Sequence, residues 1–159
     1  MMNHSFKKVS GLKFILFLGL LHFSFIFLTF IFLRYIIVSL AFLFVYGMLL
    51  FYWGFWLTKK KKRPVVFALY CGVFSQLPAI FLSLIILTGA SNLSTILETY
   101  DFLLQVWHTP LAPLFPFLPS LKWQETPVYY WVTIVFSFIY PLILVLGAVS
   151  GLFSKDKRC

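Results

Sequence analysis

The reactive side chains of this 159-residue chain are few: three histidines, four carboxylates and two cysteines. Their spacing excludes most chemistry. His22 lies inside a long apolar stretch, where an imidazole can ligate a haem iron, relay protons or hydrogen-bond to another helix. Haem held by two imidazoles needs a second histidine at the same depth, and His4 and His108 fall outside the apolar stretches. The expected role of His22 is therefore a hydrogen bond to a Ser or Thr of a neighbouring helix. Asp101 and His108 share a helix face but stand about 10 Å apart along it, too far to share a metal. Glu98 and Asp101 form the solvated face of the same helix; a rival reading gives Glu98 or Asp101 to a lipid-handling enzyme at the outer interface. Cys71 lies in an apolar stretch and Cys159 is the last residue, so neither a disulfide nor a CxxC redox pair is expected. No Gly-rich phosphate loop and no serine-nucleophile motif occurs. The expectation is a protein with no catalytic residue, no cofactor and no metal.

The elements that carry these residues follow from composition. Hydrophobic residues make up 62% of the chain and charged ones 11%, with a mean hydropathy of +0.98. A soluble core cannot hide that much apolar surface. Four uncharged stretches, at about residues 14–33, 35–58, 65–90 and 128–153, each reach the roughly 20 residues that a helix needs to cross a bilayer. Helices are the required form, because in lipid each segment must satisfy its own backbone groups. The fold class expected is an all-α integral membrane protein of four transmembrane helices in one domain, 1–159. The first two stretches meet at Arg34, so a tight hairpin at residues 32–35 must separate them, with Arg34 reaching the headgroups.

Within the spans the polar candidates are His22, Ser75 and Gln76. Pro78 and Pro141 are expected to kink the third and fourth spans, with Gln76 bonding across helices. Ser75, Ala79 and Ser83, and again Gly147 and Gly151, have the small-xxx-small spacing of close helix contacts, within one chain or between two. No Asp, Glu, Lys or Arg lies in a span interior, which disfavours an ion-coupled carrier.

Of the 13 basic residues, all but Arg34 and Lys122 fall before the first span, between the second and third, or after the fourth. The positive-inside rule then places both termini in the cytoplasm. Tyr52, Trp53 and Trp56 at one boundary, and Tyr129, Tyr130 and Trp131 at the other, suit headgroup depth. The net charge of +9 is thus a topology signal and not a nucleic-acid footprint. The run from Lys59 to Arg63 is a stop-transfer anchor that also has the charge to bind anionic lipid.

The connection between the third and fourth spans has a pattern of its own. Leu93, Ile96, Leu97, Tyr100, Leu103, Leu104 and Trp107 recur at helical spacing opposite Glu98, Asp101, Gln105 and His108. This predicts an amphipathic helix over 94–107, capped by Asn92 or by Thr95 with Glu98, lying on the outer surface or over the outer ends of the spans. Pro110, Pro113, Pro116 and Pro119 follow at every third residue, which predicts polyproline II. The connection is either an internal lid or a docking surface built on Trp107, Leu111, Leu114, Phe115, Phe117 and Leu118.

The functional expectation is a small polytopic membrane protein without catalytic activity, acting as an accessory, assembly or immunity-like partner of another membrane protein or as a homo-oligomer. A transport or channel subunit active as an oligomer is the first alternative, and the lipid-handling enzyme the second. The Phe, Ile and Lys richness suits a bacterial plasma membrane. Lys155 and Lys157 have the spacing of a dilysine signal, which makes the endoplasmic reticulum the alternative address.

Overall fold

A computed structural model of the protein describes residues 10–88, 94–118, 122–123 and 126–156. It is helical almost throughout: α1 (Gly11–Phe32), α2 (Ile36–Leu57), α3 (Pro64–Ser75), α4 (Leu77–Thr88), α5 (Ser94–Trp107), a 3₁₀ segment (Thr109–Phe117) and α6 (Val128–Asp156). A two-residue antiparallel pairing of Lys122–Trp123 with Thr126–Pro127 precedes α6. α1, α2 and α6 are long and apolar enough to cross a membrane, and the pair α3 and α4 adds a fourth crossing if it is counted as one span. Large apolar side chains point outward all along these helices, among them Leu20, Phe27, Ile37, Phe44 and Leu146, a surface that suits lipid and not water.

The α1–α2 hairpin closes without glycine because its free carbonyl is taken twice. The Tyr35 N–H and the Ser39 hydroxyl both donate to the Phe32 carbonyl, at 2.8 Å each, and Arg34 stays exposed between them. At the other end, the N–H groups of Lys60 and Lys61 donate to the Leu57 carbonyl, and Pro64 opens α3 in the first turn, where a missing N–H costs nothing. The first turn of α1 lies at this same basic end: the Cys71 thiol donates to the Gly11 carbonyl at 3.9 Å.

α1, α2, α6 and α3 are neighbours in that cyclic order, and α2 against α6 is the largest contact. Glycines set its closeness. Gly54 of α2 lies against the Leu144 carbonyl of α6, and Gly147 of α6 lies against the Phe51 carbonyl of α2, so that a side chain at either would fall on backbone. Gly151 extends the seam against Thr58, 2.6 Å from where a Cβ would stand to the Thr58 methyl. The Gly147 and Gly151 spacing therefore joins two helices of one chain.

The third span, expected as one kinked stretch over residues 65–90, is bent far enough to form two helices. It breaks at Gln76, and α4 leaves α3 at 52°. Pro78 is the cause in the sequence, since it has no N–H to offer the preceding turn. α3 ends about 18 Å from its start, near the middle of the bundle. α5 returns alongside α4, and the 3₁₀ segment packs on α1 and α2, filling the half-column that α3 does not reach.

Polyproline II over 109–121 is likewise replaced, in its described part, by 3₁₀ helix over Thr109–Phe117. Both forms have three residues per turn, so prolines at every third position line up on one edge in either. Burial decides between them. Pro110, Leu111 and Pro113 are buried, and an enclosed backbone needs internal hydrogen bonds, which polyproline II lacks. The Leu111 and Leu118 N–H groups supply such bonds, to the His108 and Phe115 carbonyls. Pro119 and the capping residue Asn92 lie outside the described residues, as does the side chain of Thr95.

If the glycine seam sets the α2–α6 distance, Gly147→Ala should lower stability by at least ~2 kcal/mol, the cost of overpacking against backbone. Gly19→Ala, where nothing lies within 4 Å of the new methyl, should be neutral or slightly stabilising. Thermal unfolding in non-ionic detergent measures both; equal midpoints for the two variants would refute the seam.

Candidate functional site

Three helix ends meet near the middle of the bundle: the end of α3, the start of α4 and the end of α5. Each leaves backbone groups without helical partners in an apolar surrounding. Side chains from the continuous helices meet this need. His22 stands about 16 Å along α1 and Tyr46 about 15 Å along α2, so both reach the same layer.

The Trp107 carbonyl, the last of α5, lies 3.0 Å from His22 Nε2. A carbonyl only accepts, so Nε2 carries the proton. In the neutral ring Nδ1 is then an acceptor, and the Tyr46 hydroxyl donates to it at 2.9 Å. The indole of Trp107 lies beside the imidazole, with centroids 4.7 Å apart, and its Nε1–H donates to Gln76 Oε1 at 3.1 Å. Trp107 thus ties three elements together: its carbonyl holds α1, and its ring holds the break between α3 and α4.

His108 continues the layer toward α6. The Ser137 hydroxyl donates to the Thr133 carbonyl of its own helix at 3.0 Å, leaving its oxygen free to accept. His108 Nε2, at 3.3 Å, is therefore the donor to Ser137. His108 Nδ1 is buried without a hydrogen-bond partner. The Thr109 hydroxyl donates to the Val106 carbonyl at 2.8 Å and the Ser75 hydroxyl to the Gly72 carbonyl at 2.7 Å, which serves two more helix-end carbonyls. The Tyr140 hydroxyl is buried without a protein partner. It borders a cavity of about 10 Å³ shared with Tyr46, Ser75 and Gln76, room for one water molecule at most.

Two expectations need correction. The helix over 94–107 does form, but it does not lie wholly over the outer ends of the spans: its last turn enters the bundle, and Leu104, Trp107 and His108 are buried. His108 consequently stands with His22 and not on an outer surface. The His22 partners are Tyr46 and a backbone carbonyl, not a Ser or Thr, because the buried end of α5 presents the stronger need.

Of the docking candidates, Trp107 and Leu111 are interior, Leu114 and Phe115 pack against the core, Leu118 is half-buried and Phe117 is exposed. Asp101 pairs with Gln105 one turn on, at 3.0 Å, and Glu98 is exposed. Among the described residues no group of three or more His, Cys, Asp or Glu could hold a metal. Tyr46, His108, Ser137 and Tyr140 belong to the layer although the sequence reading did not select them as site residues. Tyr46 and Tyr140 carried a usable signal: a tyrosine far from either membrane boundary needs a partner for its hydroxyl.

Known protein families, characterised proteins and solved structures yield no match to this chain.

The layer makes a stability prediction. Gln76→Leu leaves the Trp107 Nε1–H without an acceptor and should cost about 1 kcal/mol, and Gln76→Leu combined with Trp107→Phe should cost less than the sum of the single changes by a similar amount. Strict additivity in thermal unfolding would show that the bond contributes nothing.

Proposed function

We propose that this small membrane protein has no catalytic task and acts as an accessory or assembly partner of another membrane protein, through the hairpin of α4 and α5. The observation that carries this reading is a division of roles within that hairpin. One end is latched into the bundle by Trp107 and His108, while Phe81 and Leu84 on α4 and Phe102, Leu103 and Val106 on α5 face outward. A hairpin held at one end by buried hydrogen bonds presents a fixed apolar surface, which favours recognition of a partner over mere occupancy of lipid.

The transport alternative draws support from the broken helix, since discontinuous helices near mid-membrane are where carriers bind solutes. Against it stand the hydrogen bonds that already occupy His22 and Gln76, and the cavity of about 10 Å³ beside them. The partner reading therefore has precedence. A photo-crosslinking residue in place of Phe102 should capture one discrete protein in native membranes, while the same residue in place of Leu16 on α1 should capture only lipid. Lipid adducts alone at both positions would remove the reading.

The basic end, with residues 59–63 and both chain termini, is assigned to the cytoplasm, and the chain to a bacterial plasma membrane. The support is the charge distribution together with the shared end of the bundle occupied by Gly11, Thr58 and Gly151. A cysteine at Ser120 should react with an impermeant thiol reagent on intact cells, and Cys159 only after permeabilisation. Labelling of Cys159 in intact cells would reverse the orientation.

A further inference from the structure

The loop between α2 and α3 forms one side of an open groove of about 420 Å³ that the function proposed above does not use. Its rim is cationic: Lys61, Lys62 and Arg63 border it, and Lys62 and Arg63 are exposed. Its floor is apolar and descends along α3 through Val66, Phe67 and Tyr70. The Lys61 ammonium lies 3.9 Å from the centroid of the Phe67 ring, a cation–π contact that fixes one charge at the mouth. Phe67 is itself held from behind by Phe14, at 5.9 Å between centroids. Below the rim, Val66 is 63% exposed and Tyr70 49%, and Tyr70 stacks on exposed Phe74 at 4.4 Å. The apolar strip therefore continues from the basic rim toward the middle of the bundle without interruption.

From this juxtaposition we infer that the groove binds one anionic phospholipid, its headgroup phosphate between Lys62 and Arg63 and an acyl chain along Val66 and Tyr70. Charge complementarity selects the anion, and the apolar strip selects the lipid over a soluble phosphate compound or an acidic peptide. A peptide would need polar partners for its backbone along α3, and Val66 and Phe67 offer none. Arg63 supplies the planar fork that suits phosphate oxygens, and Lys62 the point charge beside it. The site is independent of the partner reading, since it lies on α3 and not on the α4–α5 hairpin.

The test uses the purified, delipidated full chain in non-ionic detergent, titrated with phosphatidylglycerol or with phosphatidylcholine of the same acyl chains. Native mass spectrometry should show one phosphatidylglycerol retained per chain and no comparable retention of phosphatidylcholine. Lys62→Gln with Arg63→Gln should weaken phosphatidylglycerol binding about tenfold and leave phosphatidylcholine unchanged, with the wild-type circular dichroism spectrum. Val66→Trp, which fills the groove below the charges, should weaken it as well. Equal binding of the two lipids, or wild-type affinity in the double variant, would overturn the site. Displacement of phosphatidylglycerol by excess inorganic phosphate or by a Glu-rich peptide would overturn the assignment to lipid.

Discussion

A helix that stops inside an apolar layer carries carbonyl groups that water cannot reach, and the cost of leaving one unbonded is of order 1–3 kcal/mol. α5 stops in this way at Trp107, and the rest of the interior is arranged around that fact. His22 is turned so that Nε2–H meets the carbonyl, which fixes its tautomer and makes Tyr46 a donor. Trp107 then faces Gln76, the residue at which α3 and α4 part. Trp107, through its carbonyl and its indole, thus couples α1, α2, α5 and the α3–α4 break through bonds of 2.9 to 3.1 Å.

Across the bundle the opposite solution prevails. Between α2 and α6 the contact is backbone on backbone, with Gly54 and Gly147 each facing a carbonyl of the other helix. In lipid, where apolar burial between helices gains little, such close approach is the main source of attraction. One side of the bundle is therefore narrow and dry, and the other is wide enough to admit the end of α5 and the 3₁₀ segment. The proline edge of that segment faces inward at Pro110 and Pro113, where a residue without an N–H leaves no donor to satisfy.

The sequence makes the long apolar helices legible because composition and length alone decide them. The range of α5 was equally legible, since Leu103, Leu104 and Trp107 against Asp101 and Gln105 keep helical spacing. Its destination was not. The bond between His22 and Trp107 joins residues 85 apart in the chain, and no local pattern reports a contact of that range. The break at Gln76 was visible as a kink from Pro78, but a proline only frees a carbonyl, and no local pattern reports the 52° at which α4 departs. The period of three in the prolines fits two different helices, and only burial distinguishes them. Sequence reading placed His108 among the exposed polar face of α5 for the same reason: one residue beyond Trp107, it follows the helix end into the interior.

The order in which a ribosome delivers this chain bears on how the polar layer closes. α1 and α2 enter the membrane first and bring His22 and Tyr46 into hydrocarbon before Trp107 has been made. α3 follows as a 12-residue helix, too short to cross alone. Ser137 and Tyr140 arrive last, on α6, and until then His108 and the small cavity are open on that side. In chain order α6 is therefore the last helix to supply a partner to this layer, and it closes the side on which His108 stands.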